Sequence, residues 1–292
     1  LTAAAGATVQ AGAALSMATA GSLTLAGQLI AADVLLTAAT GIAETGAGAI
    51  VTPALTARTT GGDIVLSGAN EVDAIKDAAT PGQFRFADAA PLLTIGIESA
   101  IRAAGGITLA LAGALQLDGA LLAAGAPVDI AATAMTEGAT GLIQADLLTL
   151  RAAEGDIVLG GPNAVDRLGA SFTPGNLTFH DTAALTVPAG TEVRALGDAA
   201  ITGDADIVVD GTVRGNTLSL GAATLLAVNG FSAIADAGPL TLTGQTVATT
   251  GLIASGRDIL VAATSASLAG RATGAALNIT APALLARAAA LR

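Results

Sequence analysis

Apolar and polar residues alternate in short runs along the whole chain, and many runs share one form: apolar, any, apolar, any, glycine. The form occurs at Leu23, Leu25, Gly27; at Ile64, Leu66, Gly68; and at Leu109, Leu111, Gly113. It returns at Ile157, Leu159, Gly161; at Ile207, Val209, Gly211; and at Leu240, Leu242, Gly244. A period of two places each apolar pair on one face of a short strand. The glycine that follows either takes a positive φ or lets neighbouring backbones approach, and so turns a corner. Short strands with frequent corners would ordinarily indicate a sandwich or barrel.

A longer echo argues for a different architecture. Residues 44–88 align without a gap on residues 137–181, 93 positions later, and 20 of the 45 pairs are identical. The shared residues are strand apolars, turn formers such as Thr80-Pro81-Gly82, the corner residues Asn70 and Asn163, and acids between them. Self-similarity at a fixed period is the mark of a stacked array. The prediction is therefore an all-β parallel β-solenoid over residues 1–292, about 14 coils of roughly 20 residues each. Coils stacked at about 4.8 Å would make a rod about 70 Å long. The segments near 70–82 and 163–175, with their Asp, Ala and Pro-Gly content, read as loop excursions from the coils.

Helix is the main rival, because alanine is the best helix former. Leu284–Arg292 is the one stretch with a helical look. Yet Pro282–Arg287 echoes Pro53–Arg58 in five of six positions, and the earlier copy leads straight into a coil. The expectation is that the chain continues past Arg292 and is an excerpt of a longer array.

Composition fits a thin, layered core. Hydrophobic residues make up 52% of the chain but aromatics only 2%, and 37 glycines suit many corners. A thick globular core would normally draw on aromatic side chains. The absence of cysteine excludes disulfides, Cys-based zinc sites and thiol nucleophiles. A net charge of −11, with Lys76 the only lysine, argues against nucleic acid and against anionic membrane surfaces. Residues 1–32 carry no charge, but Gln10, Gln28 and repeated Gly, Ser and Thr interrupt them, so no membrane span is expected.

The alternating Leu-Thr-Leu and Asp-Ile-Val-Leu strands with glycine corners, in a Cys-free, acidic, Ala/Gly/Thr-rich chain, resemble the filamentous-haemagglutinin-type proteins. These are large bacterial exoproteins, including autotransporter passengers. The resemblance extends over essentially the whole chain and rests on repeat style. It implies a right-handed parallel β-helix and a secreted, cell-surface location. It also implies a structural role as adhesin, stalk or filament, without enzymatic activity. Self-association end to end, or a host or matrix glycan, would be the partner. A Thr-rich face that binds glycan or ice, or a polysaccharide lyase or hydrolase on the same fold, are the alternatives.

Few residues offer chemistry. His180, the only histidine, lies beside Asp181 and invites a general-base reading, but its counterpart in the first copy is Ala87 and no nucleophile is evident in sequence. Asp204, Asp206 and Asp210 offer oxygen ligands on one corner, which makes Ca²⁺ the one cofactor to consider, although nothing completes a cage. Asp63, Asp73 and Asp88, repeated as Asp156, Asp166 and Asp181, would make a carboxylate cluster if they shared a face; solvated corners are the plainer reading. Arg58 and Arg151 recur at one repeat position, which suggests pairing with a nearby acid. Asn70 and Asn163 suggest side-chain ladders between coils. Gly46-Ala47-Gly48 lacks the context of a dinucleotide loop, and the Asn176 and Asn278 triplets match the glycosylation pattern as a chance occurrence would.

Overall fold

The computed structural model describes residues 1–230 and 232–286. It is an all-β parallel β-solenoid of about 14 turns, and no helix forms among the described residues. Within each of two units, coils lie on one another at a spacing that varies with the loops between strands. The spacing is 18 residues where Ile259 faces Leu277 and 23 where Phe84 faces Ile107. The contacts gather into two units, Leu1–Asp146 and Leu147–Arg292.

In both units the period-two pattern builds the core directly. In the first, Ile64, Phe84, Ile107 and Val128 stack in register, as do Leu66, Phe86, Leu109 and Ile130 two residues on. All eight are buried. In the second, Ile157, Leu177, Ala199, Leu218, Leu240 and Ile259 form one column. Leu159, Phe179, Ile201, Leu220, Leu242 and Val261 form its neighbour. Each coil therefore adds two side chains to these columns, and further buried residues, mostly aliphatic, fill the rest of a narrow interior. Phe84, Phe86 and Phe179 are the largest buried side chains, and the rings of Phe84 and Phe86 lie 6.2 Å apart.

The corner glycines act through space rather than through a positive φ. A Cβ on Gly27 would strike the carbonyl oxygens of Ala4 and Ala7, and one on Gly211 would strike those of Pro188 and Thr191. Both pairs of carbonyls belong to tight turns on the adjacent coil, closed by Ala7 N–H to Ala4 O at 3.0 Å and by Thr191 N–H to Pro188 O at 3.2 Å. Gly68 and Gly113 are held off the carbonyls of Gly48 and Pro91 in the same way. Gly68, Gly161 and Gly244 lie inside continuous strands that carry the chain around the corner.

The expected loop excursions are instead strand. Residues 70–80 belong to Ile64–Thr80, residues 163–168 to Ile157–Leu168 and residues 171–173 to Ser171–Thr173, with only Gly169 and Ala170 between the last two strands. Val72, Ile75 and Ala78 face the core, as do Val165 and Leu168. Glu71 to Ala79 pair along Val51 to Arg58 with one register shift. The polar residues that suggested a loop point outward, and Lys76 Nζ meets Asp33 Oδ2 at 2.7 Å. The strand Ala283–Ala286 pairs with Ser265–Leu268, so the start of the helix-like stretch is solenoid strand. Residues 287–292 of that stretch lie outside the described residues.

Candidate functional site

The repeated polar residues do three different things, and only one of them faces solvent in a way that suits a ligand. The first is a buried staple at a register shift. Leu66 pairs with Phe86, but the next pair is Asn70 with Asp88, so the lower strand has two extra residues at this corner. Such a bulge leaves backbone groups without ladder partners. Asn70 and Asp88 supply the missing partners. Ile50 N–H donates to Asn70 Oδ1 at 2.8 Å, and Asn70 Nδ2 donates to Ala87 O at 3.0 Å and to Glu44 Oε2 at 3.1 Å. Val72 N–H donates to Asp88 Oδ1 at 3.0 Å. The second copy repeats the geometry: Leu159 pairs with Phe179, then Asn163 with Asp181, and Asn163 Nδ2 donates to His180 O at 3.1 Å. Val165 N–H donates to Asp181 Oδ2 at 3.1 Å. The aspartates thus cap the bulge amides, while Asn70 and Asn163 donate to the carbonyls of Ala87 and His180 across the bulge and Asn70 also accepts the Ile50 amide, so neither acts as a rung of an asparagine ladder.

Burial sets the electrostatics of these staples. It raises the Asp181 carboxyl to about 6, against the hydrogen bonds from the Ala183 and Val165 amides and the pull of His180. Burial likewise raises Asp88 and Glu44 above the ordinary carboxylate range, opposed by the Val72 amide in one case and the Gly68 amide in the other. Asp88 Oδ2 and Glu44 Oε1 are shut off from solvent without hydrogen-bond partners, which disfavours the charged form further.

A second group of polar residues forms an outer ladder. Asp156 Oδ1 accepts from Asn176 N–H at 2.7 Å, Asn176 Oδ1 from Asp198 N–H at 2.9 Å, and Asp198 Oδ1 from Thr217 N–H at 3.1 Å. Asp63 does the same for Gln83 N–H at 2.8 Å. Hydrogen bonds from Thr217 and then Asn216 lower the Asp198 carboxyl. The proposed carboxylate cluster is therefore divided between inside and outside. Asp88 and Asp181 are buried staples, Asp63 and Asp156 are exposed corner caps, and Asp73 and Asp166 face solvent.

The calcium candidates also diverge. Asp204 lies 3.6 Å from His180 Nε2; Asp206 accepts from the Thr224 hydroxyl and the Leu225 amide; Asp210 accepts from Asn229 Nδ2 at 3.3 Å. Among the described residues no three acids or histidines lie together as metal ligands. His180 does gain a partner that sequence reasoning missed. Its Nδ1 lies 3.1 Å from Thr202 Oγ1, because parallel in-register pairing sets Thr202 directly beside it. Asp204, on the other side of the ring, is largely exposed. The group is a surface hydrogen-bonded stack.

The third arrangement is a column of arginines, and here the two copies differ. In the first unit Arg58, Ala79 and Arg102 are in register, and Asp77 lies between the two arginines. Arg58 meets Asp77 Oδ2 at 2.7 Å and Arg102 meets Oδ1 at 2.9 Å, so the expected acid partner of Arg58 is Asp77. In the second unit Arg151, Phe172 and Arg194 occupy the same register. Ala170 stands where the first copy has Asp77, and Phe172 where it has Ala79. A cleft of about 260 Å³ opens there, bordered by Arg151, Ala170, Phe172, Glu192 and Arg194. Phe172 is 40% exposed. Arg194 Nε is closed off from solvent and has no hydrogen-bond partner. On the next coil Arg214, in register with Arg194, is neutralised by Asp236 at 2.7 Å. The only signal of this cleft in the sequence is the mismatch between the copies at positions 77/170 and 79/172.

Comparison of the chain with known protein families, with curated proteins and with solved structures found no match.

Proposed function

We propose that the chain is a structural, non-catalytic surface protein of a bacterium, an exported β-solenoid of the filamentous-haemagglutinin type that serves as stalk, adhesin or filament. One observation carries this reading. The outward positions of the second unit stack in a single column of Val158, Thr178, Ala200, Ser219, Thr241, Leu260 and Asn278, one residue per coil. A scaffold that repeats its surface side chains about every 4.8 Å suits multivalent contact and mechanical reach. The staples and corner ladders support it, since they fix register at each turn without committing side chains to a reaction centre. Coil edges that pair with further coils would extend the structure end to end, which makes self-association the first partner to test.

The experiment is immunogold labelling of intact cells of the source organism, with permeabilised cells as reference. Label on intact cells is the expected result. Label confined to permeabilised cells would refute the surface location, and with it the adhesin role.

A further inference from the structure

We propose that the surface around Phe172 is a pairing face, on which a second copy of the chain docks about a twofold axis. Two exposed large apolar side chains of the second unit adjoin there, Phe172 at 40% and Leu196 at 51% exposure. Phe172 is in register with Arg194, and Leu196 N–H donates to Thr173 O at 3.0 Å. Leu196 therefore sits on the adjacent coil two places along from Arg194, diagonal to Phe172, a spacing within reach of an aromatic side chain. Along Glu192 to Leu196 burial alternates, so Glu192, Arg194 and Leu196 share the outward face. Single exposed apolar residues need no explanation, but adjoining ones rimmed by charge mark a surface that another protein covers.

The face is complementary to itself, as a twofold contact requires. With the axis midway between Phe172 and Arg194, the two coils exchange and the direction along the strands reverses. The Phe172 ring of each copy then meets Arg194 of the other, and Leu196 of each meets Ala170 of the other. Ala170 is small, exposed and borders the cleft of about 260 Å³, so the cleft receives the leucine side chain. Arg194 has no acid partner among the described residues, and a guanidinium binds the face of an aromatic ring. Glu192, exposed on the rim, brings the opposite charge to the same contact. Arg151, also on the rim, is engaged within its own chain and is not called on. A second copy is the fitting partner because knob, hole, ring and cation occupy matched positions on one face. The face is small, so the pairing is of the transient class. It uses outward side chains rather than the coil edges of end-to-end growth, and purified chains pair or stay apart wherever the protein resides, so it is independent of the surface-scaffold reading.

The test is sedimentation of the purified full chain over a range of concentrations up to about 1 mM. Reversible monomer–dimer exchange is expected, with Kd of about 0.3 mM or tighter. Leu196→Ala removes the knob and Ala170→Leu fills the hole, and each should weaken pairing about fivefold or more. The double variant exchanges knob and hole across the axis, and should return Kd to within about threefold of the parent. Both positions are exposed, so circular dichroism should stay unchanged in all three variants. A chain that remains monomeric up to about 1 mM would overturn the proposal. So would association that both single substitutions leave unaltered, which is the signature of coils joining end to end, or a double variant that pairs no better than the singles.

Discussion

Replacing Asn70 by alanine tests the idea that a few buried polar side chains hold the corners in register. The side chain accepts from Ile50 N–H at 2.8 Å and donates to Ala87 O at 3.0 Å and Glu44 Oε2 at 3.1 Å, and its residue is fully buried. Alanine would leave the Ile50 amide without a partner in the interior, which costs about 1–3 kcal/mol. It would also remove one of the two donors to the Glu44 carboxylate, the other being Gly68 N–H at 2.6 Å, at a further cost of about 1.5–3 kcal/mol. The sum is about 2.5–6 kcal/mol, with partial relaxation at the bulge taking it to about 3–4 kcal/mol. Stacked coils need not unfold as one unit, so the readout should be local. Native-state hydrogen exchange at Ile50 and Val72 is expected to accelerate by two to three orders of magnitude, about 1.4 kcal/mol for each tenfold change. Asn70→Asp should be worse than alanine near neutral pH, since it puts a second carboxylate against Glu44, and should recover on acidification. Unchanged protection in Asn70→Ala would refute the staple, as would an aspartate variant better protected than the alanine one.

Two further predictions concern single groups. The Asp181 carboxyl is raised to about 6 in the folded chain, so between pH 4 and 6 the folded state holds a proton that the unfolded state has released. Stability from this group is then present at low pH and lost as pH rises through 6, by at most about 3 kcal/mol. Denaturation followed from pH 4.5 to 7.5 should show the fall, and Asp181→Asn should flatten it; a rise in stability over that range would contradict the assignment. Glu98 has φ 67° in the turn Gly96–Ser99, at the place held by Gly6 and Gly190 in the turns Ala4–Ala7 and Pro188–Thr191. Glu98→Gly should raise the urea midpoint, by an amount corresponding to about 1 kcal/mol after glycine's greater unfolded freedom is allowed for; a lower midpoint would show that the side chain contributes more than the strain costs.

The core was legible because its signal is simple. Ile64 with Leu66, or Ile157 with Leu159, can place both side chains inside only as a strand, and the stacking of such pairs follows from the ungapped echo. The corner glycines were legible as corners, though their reason is the close approach of carbonyls from the adjacent coil. Polar residues were legible in identity but not in direction. Asp88 and Asp63 look alike in sequence, and only the two extra residues of the bulge turn one inward while the other caps an outer amide. The same ambiguity made a loop of residues 70–82, where Val72, Ile75 and Ala78 are spaced three apart rather than two and the register shifts once, between Ile75 and Asp77. Asp204, Asp206 and Asp210 are close in sequence, but Asp204 turns to His180 on the preceding coil while Asp206 and Asp210 take separate partners on the following one, so proximity along the chain does not make a site. The arginine cleft was the least legible, since no motif marks it and only the unlike residues at positions 77/170 and 79/172 set the two copies apart.

The most direct test of the architecture is the distance between residues that only parallel coil stacking brings together. The chain has no cysteine, so label pairs can be introduced cleanly. Val158 and Thr178 are exposed and in register in the second unit, and Arg85 and Thr108 are in register in the first. Nitroxide labels at Val158→Cys with Thr178→Cys, and at Arg85→Cys with Thr108→Cys, should sit on neighbouring strands about 4.8 Å apart and show strong dipolar broadening. Broadening in both pairs is the predicted result. Sharp spectra like those of the single-label chains would contradict the solenoid.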